Sequence, residues 1–351
     1  MKILINALSG NGDALMFSPA LRLLKEKIPD AQIDMLVMFK SVKEMYEYSP
    51  FLNEIYHINF LKQSKLKSIK ELSALSDNNY DASINVYPSN RAEYNIVNRF
   101  LGAKKRLAHN YTHTNPLRLE ILNNVTVPEI PNRHNVLQNF DLVKTLAPIS
   151  ESEVRGLEIF LSEKDKKESE EWLKENNPEN KMLVGFHAGS AVLKNHIHKR
   201  WDKEKFAALG RLLEEKYNAL ILLFGNEFDL NLEIDELLGG QAVIASTSNY
   251  MDSMARMRFC NLFVSNDSAF LHSAAAFKIP TVGIFGYTNA LELFPWGTKH
   301  LIVRMDLECS PCFYNSPKPV ECIWTGKDEW KCMKLITVEE VLEACEVILN
   351  N

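Results

Sequence analysis

The sequence is short of everything that would send it into a membrane, a fibre or a nucleic-acid complex. None of its apolar runs approaches the roughly 18 residues needed to cross a bilayer. It shows no repeat at solenoid spacing and no low-complexity segment, which excludes stacked arrays. Positive charge is not in surplus: 40 basic against 45 acidic side chains give a formal charge of -5. That balance is too mild and of the wrong sign for a dedicated nucleic-acid binder, so nucleic acid is not an expected partner. The local basic clusters Lys104-Lys105-Arg106 and Lys199-Arg200 read equally well as solvated faces. Cysteines number only six. The apolar stretch from Ile3 to Leu8 is broken by Asn6 and followed by Asp13, so it reads as a first strand and not as an export signal. The cysteines are therefore expected to stay reduced, and the expected address is the cytoplasm.

What is present is an ordinary globular composition, with 24% charged and 46% hydrophobic residues. A chain of 351 residues exceeds what one core usually organises, which predicts two domains. Short β-rich runs alternate with helical patterns: Ile3–Ala7, Gln32–Val37, Glu54–Ile58, Ala82–Val86 and a basic strand near Lys105–His109. Composition shifts to Glu, Lys and Ser between Ala147 and Asn180, where Ser162 and Asp165 signal a helix start and Pro178 its end. A second series follows in Met182–His187, Leu220–Phe224, Val243–Ala245, Leu262–Ser265 and Thr281–Phe285. Thr337 and Glu340 form a capping box before a last amphipathic helix, which could return to the first domain. The prediction is α/β: two doubly wound, Rossmann-like domains, residues 1–155 and 156–351, with a ligand cleft between them.

Three strand-to-helix loops carry chemistry. Ser9-Gly10-Asn11-Gly12-Asp13 follows the first strand, and its two glycines let a ligand approach the backbone. It is no G-x-G-x-x-G fingerprint, and Asp13 would repel a phosphate. Asp13 is either a helix N-cap or a general base that takes a proton from a hydroxyl. In the second half, Ala188-Gly189-Ser190 with Lys199 suits a diphosphate, because backbone N–H groups and an ammonium offset oxyanion charge. Trp201 and Phe206 are spaced as a hydrophobic staple across Asp202, which makes the tryptophan structural. Asp267 and Ser268 open a helix and His272 lies one turn on. A cap with a buried histidine and a binding edge are both open readings there. No carboxylate pair with an obvious catalytic metal role stands out.

Those residues resemble the family nine glycosyltransferases, the ADP-heptose:lipopolysaccharide heptosyltransferases. The likeness runs through Gly10–Leu21 with Ile28–Ala31, through Lys199-Arg200-Trp201, and most specifically through Ser265–Ser268, His272, Ala274–Ala276, Pro280, Phe285-Gly286 and Pro295-Trp296. It implies a GT-B fold of two facing domains and metal-independent, inverting transfer of heptose from ADP-heptose to a lipopolysaccharide inner-core acceptor. By position it implies Asp13 as base, and Ser190, Lys199, Asp267, Ser268 and His272 around the donor. The acidic residue expected after Gly225 leaves Glu227 and Asp229 both open, with Glu227 carried into the donor set. Arg91 and Arg106 fall where a phosphorylated, carboxylated acceptor would need basic residues. The resemblance requires no cofactor for catalysis, and a lipid acceptor would bring the chain to the periphery of the inner membrane. Ala269 stands where the family usually has glycine, which keeps open a degenerate nucleotide-binding protein, alongside transfer of another sugar or to a protein acceptor. Cys309, Cys312, Cys322 and Cys332 cluster in one irregular segment as C-x2-C plus two, the pattern of a structural metal site or of reduced thiols.

Overall fold

Lys2–Ala7 (β1) is buried along nearly its whole length, and Ile3, Leu4, Ile5 and Ala7 are fully inaccessible. An apolar run of that kind fits a strand covered on both faces, as parallel sheets require. Five more parallel strands join it: Gln32–Val37 (β2), Glu54–His57 (β3), Ala82–Asn85 (β4), Lys105–Asn110 (β5) and Val125–Pro128 (β6), in the order β3-β2-β1-β4-β5-β6. A second parallel sheet holds Met182–His187 (β7), Ala219–Leu223 (β8), Val243–Ile244 (β9), Leu262–Asn266 (β10), Thr281–Phe285 (β11) and His300–Arg304 (β12), in the order β12-β11-β10-β7-β8-β9. The computed structural model describes residues 1–112, 119–314 and 318–350. They form two units: Met1–Phe160, and Leu161–Tyr314 with the chain from Lys318 on. Two doubly wound α/β units are thus present, each with its own core.

The sheet orders place the binding edges. In the first unit the chain leaves β1 toward β2 and β3, then returns to the other side of β1 as β4, so the switch of direction lies between β1 and β4. In the second, β7 and β10 flank the equivalent switch. Ligands of open α/β sheets bind beyond the carboxyl ends of strands at such points.

Side-chain amides lock the first of these edges. Asn6 of β1 donates to Asn85 of β4 (3.1 Å) and to Asn98 (3.0 Å), Asn85 donates to Asn95 (3.2 Å), and Asn98 to Asn123 (2.7 Å). These buried amides fix the Ala92–Phe100 helix against the sheet, because each would lose a hydrogen bond if the helix shifted. In the second unit the expected helix starts are observed: Ser162 and Asp165 exchange bonds in a capping box, as do Thr337 and Glu340. The last helix, Val338–Leu349, packs on the Lys203–Tyr217 helix and on β11 and β12, within its own unit. Trp201 is buried edge-on against Phe206, with 5.1 Å between ring centroids, and donates from Nε1 to the Ile336 carbonyl. It is a core residue, as its spacing predicts.

Candidate active site

The loop after β1 starts a short helix, Asn11–Leu15, whose N-cap is Gly10. Asp13 is therefore the third residue of the helix and not its cap. Ser9 Oγ donates to the Pro88 carbonyl at 2.8 Å, tying the β1 loop to the segment after β4. Arg91 caps the helix that follows, so Asp13 and Arg91 stand at the same switch point. Both act electrostatically on Tyr94, whose hydroxyl donates to the Leu8 carbonyl at 3.1 Å; burial above all raises the Tyr94 phenol.

Arg106 does not belong to this edge. It is the second residue of β5, and its guanidinium donates to the carbonyls of Leu122 (2.9 Å) and Ala103 (2.9 Å). The amino end of a parallel strand lies opposite the binding edge, so the expected acceptor role is corrected: Arg106 fastens the β5 start.

In the second unit, the switch point between β7 and β10 gathers most of the expected donor residues. Asn266 at the end of β10 is fully buried. It donates to the Ala188 and Gly189 carbonyls (2.8 and 3.3 Å) and accepts from the Trp201 amide (3.0 Å), so one amide holds the loop after β7 against the segment carrying Lys199. Lys199 Nζ meets Asp267 Oδ2 at 2.6 Å, with side chains 16% and 5% exposed. Burial alone would raise the Asp267 carboxyl, but the Lys199 charge and hydrogen bond outweigh it and hold the group below its ordinary value. Asp267 is thus a fixed anion that orients the lysine. The Ala269–Ala276 helix begins after Ser268 with no side chain capping its first amides, which leaves the positive end of the helix dipole beside Lys199.

Glu227 reaches the site. Its carboxylate accepts from the Ser190 amide (3.1 Å), lies 3.4 Å from Arg200 and 3.8 Å from His187 Nε2. The partly exposed carboxylate is an acceptor for a hydroxyl pair such as a ribose presents. Ser190 donates its hydroxyl to the His196 carbonyl at 2.8 Å and takes a bond from Arg200 Nε at 3.2 Å, so it shapes the loop rather than projecting from it. Gly225 sits at φ +113, and a Cβ there would fall 2.7 Å from Glu227 Oε2 and 2.8 Å from His187. Gly225→Ala is therefore expected to displace Glu227 and weaken nucleotide binding by at least about tenfold, measured by calorimetry.

One central residue was not legible in the sequence. His187, the buried last residue of β7, stacks on Phe270 (4.4 Å between centroids) and bonds Ser268 Oγ through Nδ1 at 2.9 Å. It couples the Ser268 and Glu227 sides of the site. A lone histidine ending an apolar strand carries no spacing signal; only the return of β10 beside β7 gives it neighbours.

His272 is buried, and its Nδ1 finds no hydrogen-bond partner among the described residues. Burial pushes its pKa down to about 4, and does the same to His109 in β5. Both are neutral in the folded chain at neutral pH and titrate near 6.5 when unfolded. The unfolded state thus binds more protons between those values, and stability falls as pH drops from about 6.5 toward about 4. Urea unfolding at pH 7 and pH 4.5 should differ by on the order of a few kcal/mol, with the acid sample weaker.

A family model for glycosyltransferase family 9 (heptosyltransferase) matches residues 69–322. The chain belongs to this family. It is 27% identical to lipooligosaccharide heptosyltransferase 2 of Campylobacter jejuni over 100% of this chain and 99% of that one. The structure of a family 9 glycosyltransferase from Veillonella parvula aligns with a TM-score of 0.78 at 20% identity, covering 99% of this chain and 97% of that one. That of Escherichia coli ADP-heptose lps heptosyltransferase II aligns with a TM-score of 0.73 at 20% identity, covering 100% and 99%. These likenesses show the GT-B fold. No helix among the described residues is long and apolar enough to cross a membrane.

The C-x2-C segment leaves a structural metal site and reduced thiols both open, and the structure gathers its cysteines without a metal-holding group among the described residues. Cys309, Cys312, Cys322 and Cys332 line one apolar cavity of about 10 Å³ together with Tyr287 and Trp330. Yet among the described residues no three His, Cys, Asp or Glu side chains are grouped to hold a metal ion. Burial, reinforced by the neighbouring sulfurs, raises the Cys312 thiol and pushes that of Cys332 up to about 11. None of the four forms a disulfide.

Proposed function

We propose that this family 9 enzyme transfers heptose from ADP-heptose to an inner-core lipopolysaccharide acceptor, with inversion and without a catalytic metal. The observation that carries the reading is the Lys199–Asp267 pair beside an uncapped helix start, with Glu227 on the other side of β7. Lys199 and the first amides after Ser268 offset the charge that grows on the departing diphosphate, which is where electrostatic stabilisation lowers a barrier most. Glu227 takes the ribose hydroxyls, and the unpartnered His272 Nδ1 is left for the donor's phosphate or sugar. In the first unit, Arg91 binds an anionic group of the acceptor. Asp13 accepts the proton of the attacking hydroxyl as that oxygen bonds the anomeric carbon and the bond from that carbon to the ADP oxygen breaks.

The matched relative from Campylobacter jejuni is named for a lipooligosaccharide, which supports a lipid-anchored acceptor and, with it, work at a cytoplasmic membrane surface. The donor is tested by titrating ADP, ADP-heptose, UDP and GDP into the purified chain. ADP-heptose should bind most tightly; tighter binding of a uridine or guanosine nucleotide would overturn the donor assignment.

A further inference from the structure

Between Leu61 and Lys70 the chain carries four lysines and no acidic residue, against its overall charge of -5. Most of this stretch forms the start of the Lys65–Ser76 helix, which follows β3. That helix buries Ser68, Leu72 and Leu75, the i, i+4, i+7 set expected of a helix lying on a sheet. Its outward face is not polar: Leu66 is 81% exposed and Ile69 51%, one turn apart, with Lys65 and Lys70 beside them. Of these lysines only Lys67 has an ion-pair partner among the described residues, Glu71 at 3.7 Å.

The pattern continues next door. The β3-to-β4 and β4-to-β5 crossovers run in the same direction, so right-handed connections set both helices on one side of the sheet. The Ala92–Phe100 helix packs against the lysine-rich one and exposes Ile96, Phe100 and Arg99; Glu93 is the one acidic residue on that outward turn. The Glu120–Leu122 turn packs against it in turn and leaves Ile121 90% exposed. Contiguous elements that each present a large aliphatic or aromatic side chain to solvent are uncommon on a soluble surface. Here the apolar groups are interleaved with unpaired cations, so the complementary surface is apolar beneath and anionic above.

We propose that this face of the first unit docks on an anionic lipid bilayer, with Leu66, Ile69 and Phe100 entering the headgroup boundary and the lysines resting on lipid phosphates. The Ala92–Phe100 helix starts immediately after Arg91, so the docked face begins next to the proposed acceptor edge. The purpose of the contact rests on the lipid-anchored acceptor proposed above, whereas its chemistry rests on the exposed face alone.

Flotation of the full chain with vesicles, without donor or acceptor, tests it. The chain should float with vesicles containing phosphatidylglycerol, be released by high salt, and ignore vesicles of phosphatidylcholine alone. Lys65→Glu with Lys70→Glu should lower partitioning at least about tenfold, and Leu66→Ser with Ile69→Ser should lower it comparably. Both variants should keep transfer to a delipidated, soluble acceptor, which separates lost docking from misfolding. No flotation of the wild-type chain, undiminished flotation of the variants, or a solution dimer that either variant disperses would overturn the proposal. Flotation without transfer to any acceptor would leave the docking face standing and sink the glycosyl-transfer reading instead.

Discussion

Asp13→Asn is expected to lower turnover by roughly 10²- to 10⁴-fold, the range a positioned general base contributes, and to leave donor binding unchanged. The substitution keeps size and hydrogen-bonding capacity while removing the capacity to hold a proton. Asp13 stands at the β1–β4 switch point of the first unit, whereas every residue proposed to hold the donor belongs to the second. Calorimetry with ADP and a steady-state rate on the same preparation give the two halves of the result. Equal loss of affinity and rate would mean that Asp13 shapes a binding surface and takes no proton.

Lys199→Ala should do two things at once. Removing the ammonium leaves Asp267, only 5% exposed, as an uncompensated buried charge, and breaking such a pair costs about 3–5 kcal/mol of stability. The same change removes the charged donor to the diphosphate, a loss of about 1.5–3 kcal/mol in donor binding, roughly 10- to 150-fold. The double variant Lys199→Ala with Asp267→Ala separates the effects. It should regain most of the lost stability, since no charge is stranded, and regain none of the affinity for ADP. Recovery of affinity in the double variant would show that Lys199 neutralises Asp267 and does nothing for the donor.

How much of this was legible in the sequence follows from where each residue sits. β1, β2, β7, β8, β10 and β11 read as largely apolar runs because both faces of a central parallel strand are covered. β6 and β12 escaped: both are edge strands, the one four residues long and half exposed, the other half-buried throughout. Asp267, Ser268 and Lys199 were readable because a strand end, a cap and a nearby cation form a local signal. What the sequence could not say is that Asp267 and Lys199 bond to each other across 68 positions of chain. Arg106 was misassigned for the complementary reason. A strand near Lys105–His109 was readable with Arg106 at its amino end, but the sheet order that turns that end away from the binding edge was not. His187 and Arg200 depend wholly on tertiary neighbours. The cysteine pattern left a metal site and reduced thiols both open, and the fold lays the four cysteines along a small apolar cavity.

The most direct test of the central claim is a transfer reaction in the presence of EDTA, with ADP-heptose as donor and a heptose-deficient inner-core lipopolysaccharide as acceptor, followed by mass spectrometry of the acceptor and by release of ADP. The account predicts ADP release that depends on the acceptor, matched by the gain of one heptosyl residue, and both slowed at least about 10²-fold in Asp13→Asn. No heptosyl gain with any acceptor, or a gain that vanishes with EDTA and returns with added metal, would contradict it.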